Sequence, residues 1–521
     1  MRTTLSTLLT LALLANAGFG AAQAAPKAPA PSPSASAAPH AEMAEGNESG
    51  TPDAVTHHTM ILNGKPLAYT ARAGTIVLRD RQEHPTASMF YTAFTLDDVD
   101  ATTRPVTFIY NGGPGSASLW LRMGSFGPVR VDVPDGTPAG PPPYRIVENQ
   151  QTLLDRSDLV FIDMPDSGFS RIMGVGKPAD FFGADQDVRA FQQFIERYIT
   201  TYRRWNSPKF LFGESYGTPR SAALVDALQN DGVSVNGVIL LSSILNYGLY
   251  ARSYPPYRTI GGSDWVYPLY LPTEAAVAWV HHRVSNPPAS LDTFAKEVQD
   301  FAMGEYLQAL AQGAKLAPAE YNRIVATLHR YTGLSEQYIR QSNLRVPYQR
   351  FQAELLRGES QMVGRYDGRY VDYTLDGEQQ ETPFDATDSA IDGAFISANN
   401  QYVRETLQYT TTLPYRTFAG NRGWDFKHNG TTPLNTAPDL AEAMTFNPNL
   451  RVFSANGYYD FATPFLNTVY VLNHLNLAPP LQSHISYGFY ESGHMVYLHP
   501  QARQQMHDDL ERWYDATLSG Q

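Results

Sequence analysis

The feature that most constrains this chain is Lys209-Phe210-Leu211-Phe212 running into Gly213-Glu214-Ser215-Tyr216-Gly217 and then Thr218-Pro219-Arg220-Ser221-Ala222-Ala223-Leu224-Val225. An apolar strand, a Gly-x-Ser-x-Gly turn and an amphipathic helix together predict a nucleophile elbow, which holds a serine hydroxyl exposed on a strained corner. The two glycines let neighbouring backbones pass closely, and Pro219 suits a first helical turn, where no N–H partner is needed. The expectation is a hydrolase acting through an acyl-serine. Glycine is common enough for the pentapeptide alone to arise by chance, so the rest of the chain has to supply a matching sheet and partners for the serine.

Acyl transfer to a serine requires a base, a group that orients the base and donors for the oxyanion. Around an elbow, the acid and then the histidine follow the serine, each on a loop after a late strand. Asp460 comes just after the strand-like segment 450–454, and His494 just after 484–489. Both can converge on the elbow from the carboxyl ends of the last two strands. The loop Asn111-Gly112-Gly113-Pro114-Gly115 follows an apolar run, Val106–Tyr110, ahead of the elbow and suits an oxyanion site.

The remaining pattern supports a sheet of that kind. Residues 158–162 and 237–241 read as buried strands, and between them Val188, Phe191, Phe194, Ile195 and Tyr198 fall on one helical face. Asn63-Gly64 between the apolar runs 60–62 and 67–70 signals a hairpin, and 87–94 continues as strand. Strand–helix alternation predicts an α/β class chain with a mostly parallel central sheet flanked by helices, the α/β-hydrolase fold. The alternation stops over 248–444, where helical patterns at 274–283, 291–312, 318–331 and 335–340 predict a largely helical lid or cap insertion. The catalytic domain is expected over 57–521.

A net charge of −12 argues against a nucleic-acid partner, and no basic run suggests a membrane surface. Residues 1–24 have the charge-then-apolar order of a signal peptide, and 25–56 form an Ala/Pro/Ser-rich stretch expected to be disordered. With no cysteine, such a chain is expected in a bacterial periplasm or outside the cell. The pairs His57-His58 and His281-His282 point their imidazoles to different faces, and no His-Glu-x-x-His spacing occurs, so neither a metal nor another cofactor is expected.

Asn111-Gly112-Gly113-Pro114-Gly115-Ser116, Asp163-Met164-Pro165-Asp166-Ser167-Gly168-Phe169-Ser170, Gly213-Glu214-Ser215-Tyr216-Gly217, Asp460 and Gly493-His494-Met495-Val496 resemble, in order, the motifs of the serine carboxypeptidase family. The resemblance implies an enzyme that removes residues from peptide or protein C-termini. It implies Ser215 as nucleophile, His494 as base and then acid, Asp460 as orienter, and the N–H groups of Gly113 and Tyr216 as the oxyanion hole. Asn111, Gly112, Glu214 and Met495 are implied at the substrate. Glu214 would donate to a substrate carboxylate when protonated, a form that burial favours. Ser125 stands where a second glutamate is usual, Ile109 where a tryptophan is usual and Thr218 where a further glycine is usual. Arg122 is the expected substitute for the missing carboxyl, as a fork for the substrate carboxylate. Tyr458, Tyr459 and Tyr497, beside the acid and base, are expected to line an apolar cleft. The altered clamp leaves open an esterase, amidase or acyltransferase with the same triad. A non-catalytic binding protein on this scaffold is the reading from another class.

Overall fold

A computed structural model of the chain describes residues 51–250, 264–381, 384–420 and 423–519. The expected signal peptide and most of the Ala/Pro/Ser-rich stretch lie outside the described residues. The described strands are β1 (Ala54–Leu62), β2 (Lys65–Arg79), β3 (Pro85–Leu96), β4 (Val106–Tyr110), β5 (Val129–Asp132), β6 (Arg145–Glu148) and β7 (Asp158–Ile162). They continue as β8 (Arg171–Ile172), β9 (Lys209–Glu214), β10 (Gly237–Leu241), β11 (Gln361–Val363), β12 (Val371–Tyr373), β13 (Arg451–Gly457) and β14 (Ile485–Tyr490). β1 therefore starts inside the stretch expected to lack structure. Its alternating pattern buries Met60 and Leu62, and pairing along β2 from Leu62↔Lys65 to Ala54↔Ala73 carries the strand back to Ala54.

The central sheet runs β1-β2-β3-β7-β4-β9-β10-β13-β14, with β8 beside β3. It is parallel from β7 through β14 and antiparallel at the β1–β3 end. The β1–β2 turn has positive φ at both central residues, Asn63 (49°) and Gly64 (74°). That is a tight hairpin turn whose twist matches the strands it joins.

Both faces of the parallel part are buried, as period-two alternation requires. Phe210 and Phe212 of β9 and Ile239 and Leu241 of β10 enter one apolar cluster, with Met506, Leu510 and Tyr514 of the helix Pro500–Ser519. Leu211, Val238 and Leu240 enter the other, with Phe191, Phe194, Ile195 and Tyr198 of the helix Ala184–Thr201. Val188 sits half-buried at the edge of that face.

Over 264–446 helices dominate, and those from Val266–Val280 to Tyr348–Glu354 share an apolar cluster of their own. The helix expected at 274–283 occupies Val266–Val280, with Pro272 inside it. Proline reads as a breaker in sequence, but this helix is buried on nearly all sides and its packing outweighs the local cost. The pattern at 291–312 divides into Leu291–Phe301 and Leu307–Gln312 around a π-helical turn at Ala302–Tyr306. The β11–β12 hairpin interrupts the helices. Ala386–Gln401, a helix not foreseen, packs Ile391, Ala394 and Phe395 into the main cluster.

Candidate active site

β9 ends at Glu214 and the next helix starts at Gly217, which leaves Ser215 at the corner with φ of 59°. A non-glycine residue enters that left-handed region only when its surroundings hold it there. Here Ser215 N–H donates to the Leu241 carbonyl of β10 (3.0 Å), and the Ser215 carbonyl accepts from Thr218 N–H (2.8 Å). A Cβ on Gly213 would lie 2.1 Å from the Gly217 carbonyl oxygen, so the corner closes only around glycine. A Cβ on Gly112 would lie 2.3 Å from the Tyr216 nitrogen, because the loop after β4 rests directly on the elbow. Among the described residues, neither Gly113 N–H nor Tyr216 N–H donates to a protein acceptor.

The loops after β13 and β14 bring Asp460 and His494 together. Asp460 is fully buried; its Oδ1 accepts from Ala462 N–H (2.7 Å) and Thr463 N–H (3.0 Å). Its Oδ2 accepts from Thr463 Oγ1 (2.5 Å) and meets His494 Nδ1 at 2.8 Å. With Nδ1 engaged by Asp460, Nε2 is the ring nitrogen left for another partner. The ring packs against Tyr366 (centroids 5.1 Å apart), and Tyr366 O accepts from His494 N–H (2.6 Å). Burial pulls the imidazole pKa down, but the charge and hydrogen bond of Asp460, aided by Glu214, leave it raised above 6.5.

Ser215 and His494 line one cleft of about 300 Å³, together with Asn111, Gly112, Gly113, Glu214 and Met495. Among the described residues no hydrogen bond joins the Ser215 hydroxyl to His494. Glu214, 2% exposed, accepts from Asn111 Nδ2 at Oε1 (3.0 Å). The Asn111 amide is oriented by Leu121 N–H, which donates to its Oδ1 (3.1 Å). Glu214 Oε2 is buried with no hydrogen bond; the Tyr497 hydroxyl stands near without the geometry of one. Burial pushes this carboxyl up to about 7, against opposing pulls from His494, Tyr497 and Asn111.

Beneath the loop, buried Arg220 pairs with Asp187 (2.6 and 3.1 Å) and donates to the Asn111 carbonyl (2.9 Å). Its guanidinium lies over the Phe191 ring (4.1 Å), with the Tyr216 ring at 5.5 Å. This ion pair ties the loop after β4 and the elbow to one anchor.

Two expectations need correction. Arg122 does not reach the cleft: it is buried and donates to Asn399 Oδ1 (3.0 and 2.6 Å) and to the Tyr415 hydroxyl (2.7 Å). Tyr415 and Ser118 N–H also hold Asp163, so the Asp163–Ser170 motif serves this internal network. Nor do the three tyrosines line the cleft. Tyr458 bonds Asp292 and packs on Phe465, and Tyr459 packs beside Arg369. Tyr497 is buried behind Glu214. Ser125 is buried and donates back to the Leu121 carbonyl (2.6 Å), so no second carboxyl stands at its position.

The cleft walls also contain residues that sequence reasoning missed. Trp120 comes from the helix Leu119–Gly124, and Tyr366, Asp388, Asp392, Thr417 and Phe418 come from the insertion. One signal was available for two of them: Asp385 is an N-cap, accepting from Thr387 N–H (2.9 Å), and apolar residues recur at helical spacing after it. Among the described residues, Asp155, His507 and Glu511 form a trio close enough to share a metal ion. Arg156 already pairs with both carboxylates (3.2 and 3.1 Å), and none of the trio lines the cleft.

A mostly parallel sheet with a strained serine elbow and a carboxylate–imidazole pair on its last two strand ends defines an α/β hydrolase. Residues 67–487 match the family described as "Serine carboxypeptidase", and the chain belongs to that family. It is 30% identical over 171 residues to the pheromone-processing carboxypeptidase KEX1 of Saccharomyces cerevisiae (strain JAY291), over 30% of this chain and 22% of that protein. The chain thus spans about a fifth of the length of the curated relatives it matches. Similar solved structures include a proline iminopeptidase of Mycobacterium smegmatis, with 13% identity, coverage of 85% of this chain and 99% of that one, and a TM-score of 0.36. Another is the peroxisomal α/β-hydrolase Lpx1 of Saccharomyces cerevisiae, with 10% identity, coverage of 86% and 90%, and a TM-score of 0.32. None of the described helices is long and apolar enough to cross a membrane.

Proposed function

We propose that this protein is a serine carboxypeptidase that hydrolyses C-terminal peptide bonds through an acyl-enzyme on Ser215. The observation that carries the reading is the buried Asp460–His494 pair sharing a cleft with a serine on a strained elbow. In acylation the Ser215 oxygen bonds to the scissile carbonyl carbon while its proton passes to His494 Nε2. The tetrahedral oxyanion is held by Gly113 and Tyr216 N–H, each such donor worth about 3 kcal/mol of barrier. The C–N bond then breaks and His494 gives its proton to the departing amine. Water, deprotonated by the same nitrogen, releases the acyl group. Asp460 keeps the ring in its working tautomer and stabilises the imidazolium.

Asn111 and protonated Glu214 supply donors for the substrate carboxylate. The Asn111 amide orientation and the free Glu214 Oε2 support that role. A second reading, a triad-dependent esterase or amidase, is favoured by one observation: Ser125 and Arg122 both point into the protein, which leaves a single carboxyl for the clamp. Blocked dipeptides and their C-terminal amides separate the two. A carboxypeptidase loses most of its kcat/KM on the amide. Equal turnover of both makes it an esterase or amidase, and undiminished turnover by Ser215→Ala overturns both readings. Export to a bacterial periplasm or medium belongs to the same proposal.

A further inference from the structure

The tip of the β11–β12 hairpin, residues 364–370, is wedged between the two loops that carry Asp460 and His494. The Arg365 carbonyl accepts from Phe461 N–H (3.0 Å) and Gly368 N–H donates to the Tyr459 carbonyl (2.9 Å), so both neighbours of Asp460 are tied to the tip. On the other side the Tyr366 carbonyl accepts from His494 N–H (2.6 Å), and Asp367 Oδ2 accepts from Gly493 N–H (3.1 Å). A Cβ on Gly493 would lie 2.4 Å from Asp367 Cβ, so tip and loop touch. Tyr459, Phe461, Gly493 and His494 are all buried, and buried backbone groups need partners. Here the insertion supplies them.

The tip is braced in turn. Arg365 N–H donates to Asp385 Oδ2 (2.6 Å) and Asp367 N–H to Thr387 Oγ1 (3.1 Å), at the start of the helix Ala386–Gln401. His281, at the end of the helix Val266–Val280, donates from Nε2 to the Gly368 carbonyl (2.7 Å). Asp367 is 1% exposed. Its carboxylate also accepts from Arg369 N–H (3.0 Å), Nε (3.1 Å) and Nη2 (2.7 Å), and Arg369 Nη1 donates to Asp135 (2.6 Å).

We infer that Asp367 is a positioning residue for His494: by fixing Gly493 N–H it holds the imidazole between Asp460 and Ser215. The inference rests on the reading of Ser215, Asp460 and His494 as a triad, and adds the part that aligns it. A carboxylate gives a backbone N–H a charge-assisted bond, shorter and stronger than a neutral acceptor gives. Its remaining lone pairs are committed to Arg369, which fixes the plane of the carboxylate. A rotation of the chain at Gly493 carries the imidazole with it, and a misplacement of about 1 Å costs about 100-fold in rate.

The test sets Asp367→Ala, which removes the acceptor, against Arg369→Met, which removes the ion pair but leaves Asp367 to hold Gly493 N–H. Three quantities are measured on the full-length protein. These are the rate of Ser215 labelling by diisopropyl fluorophosphate, kcat and KM for a blocked dipeptide, and the Tm. Asp367→Ala is expected to lower the labelling rate and kcat together, by between about 10- and 100-fold, with KM unchanged. Arg369→Met is expected to lower the Tm while both rates stay near wild type. Labelling of Asp367→Ala at the wild-type rate, a loss confined to KM, or an equal loss of rate in Arg369→Met overturns the inference. If Asp367→Ala does not fold, Asp367→Asn replaces it, with one acceptor oxygen for Gly493 and Arg369 to share: lowered rates support the role and wild-type rates overturn it. A wild type that hydrolyses no dipeptide overturns the carboxypeptidase reading alone, and the labelling rates still decide the role of Asp367.

Discussion

Replacing Glu214 with glutamine tests substrate recognition most sharply, because glutamine copies the neutral carboxyl without the ability to ionise. Burial holds the Glu214 carboxyl at about 7 instead of the usual 4.5. Ionising it inside the protein therefore costs about 3 kcal/mol more than in water. The sign follows: below pH 4.5 the residue is neutral in folded and unfolded chains alike. Between 4.5 and 7 the folded chain binds a proton that the unfolded chain has released, so stability falls as pH rises, and it levels off above 7. Glu214→Gln is expected to be more stable than wild type at pH 8 and to lose that advantage at pH 4. In catalysis, wild-type kcat/KM for a blocked dipeptide should fall about tenfold per pH unit above 7, since an ionised Glu214 repels the substrate carboxylate. The matching C-terminal amide should show no such fall, and the variant should lose the fall on the dipeptide too. Both substrates share an acid limb set by His494, whose raised pKa keeps it protonated at low pH. Steady-state kinetics from pH 5 to 9 on the two substrates measures all of this. Parallel profiles for dipeptide and amide in wild type, or an alkaline fall that persists in Glu214→Gln, would refute the reasoning.

Three further outcomes are expected. Asp460→Asn should lower kcat by about 10⁴-fold with little change in fold, since the orienting carboxylate sets the His494 tautomer; single-turnover kinetics and circular dichroism check both halves. Arg220→Met should destabilise the protein by about 3–5 kcal/mol by leaving Asp187 charged and buried alone, and Arg220→Met/Asp187→Asn should recover part of it in urea titrations. His428 lies between Asp185 (2.7 Å) and Asp439 (2.8 Å), and these carboxylates raise its pKa to about 9. Its contribution, about 2 kcal/mol, is full below pH 6.5 and lost as pH rises through 9, so the Tm gap between wild type and His428→Gln should close by pH 10.

Much of this was legible in the sequence, for local reasons. A strand that must run into a helix through Gly213 and Gly217 admits few backbones, and Asn63-Gly64 fixes its hairpin almost unaided. Asp460 and His494 were readable because each directly follows an apolar run that serves as a strand of the sheet. The Arg122 expectation failed because one-dimensional proximity to the oxyanion loop says nothing about direction. The helix Leu119–Gly124 turns that side chain inward, to Asn399 and Tyr415, which are nearly 300 residues away in the chain. Tyr458 and Tyr459 failed for the same reason. Asp388 and Asp392 were missed because the N-cap signal at Asp385 marks a helix without saying which of its faces packs on the main core and which meets the cleft. Cleft walls supplied by an insertion depend on docking between distant segments, which no local pattern encodes.

The most direct test of the central claim is to trap the covalent intermediate. The protein is quenched in acid during turnover of a slowly deacylating ester substrate, and the digest is read by mass spectrometry. One acyl group per chain is expected, on the peptide containing Ser215 and absent from Ser215→Ala. An acyl group on another residue, or steady turnover by Ser215→Ala, would contradict it.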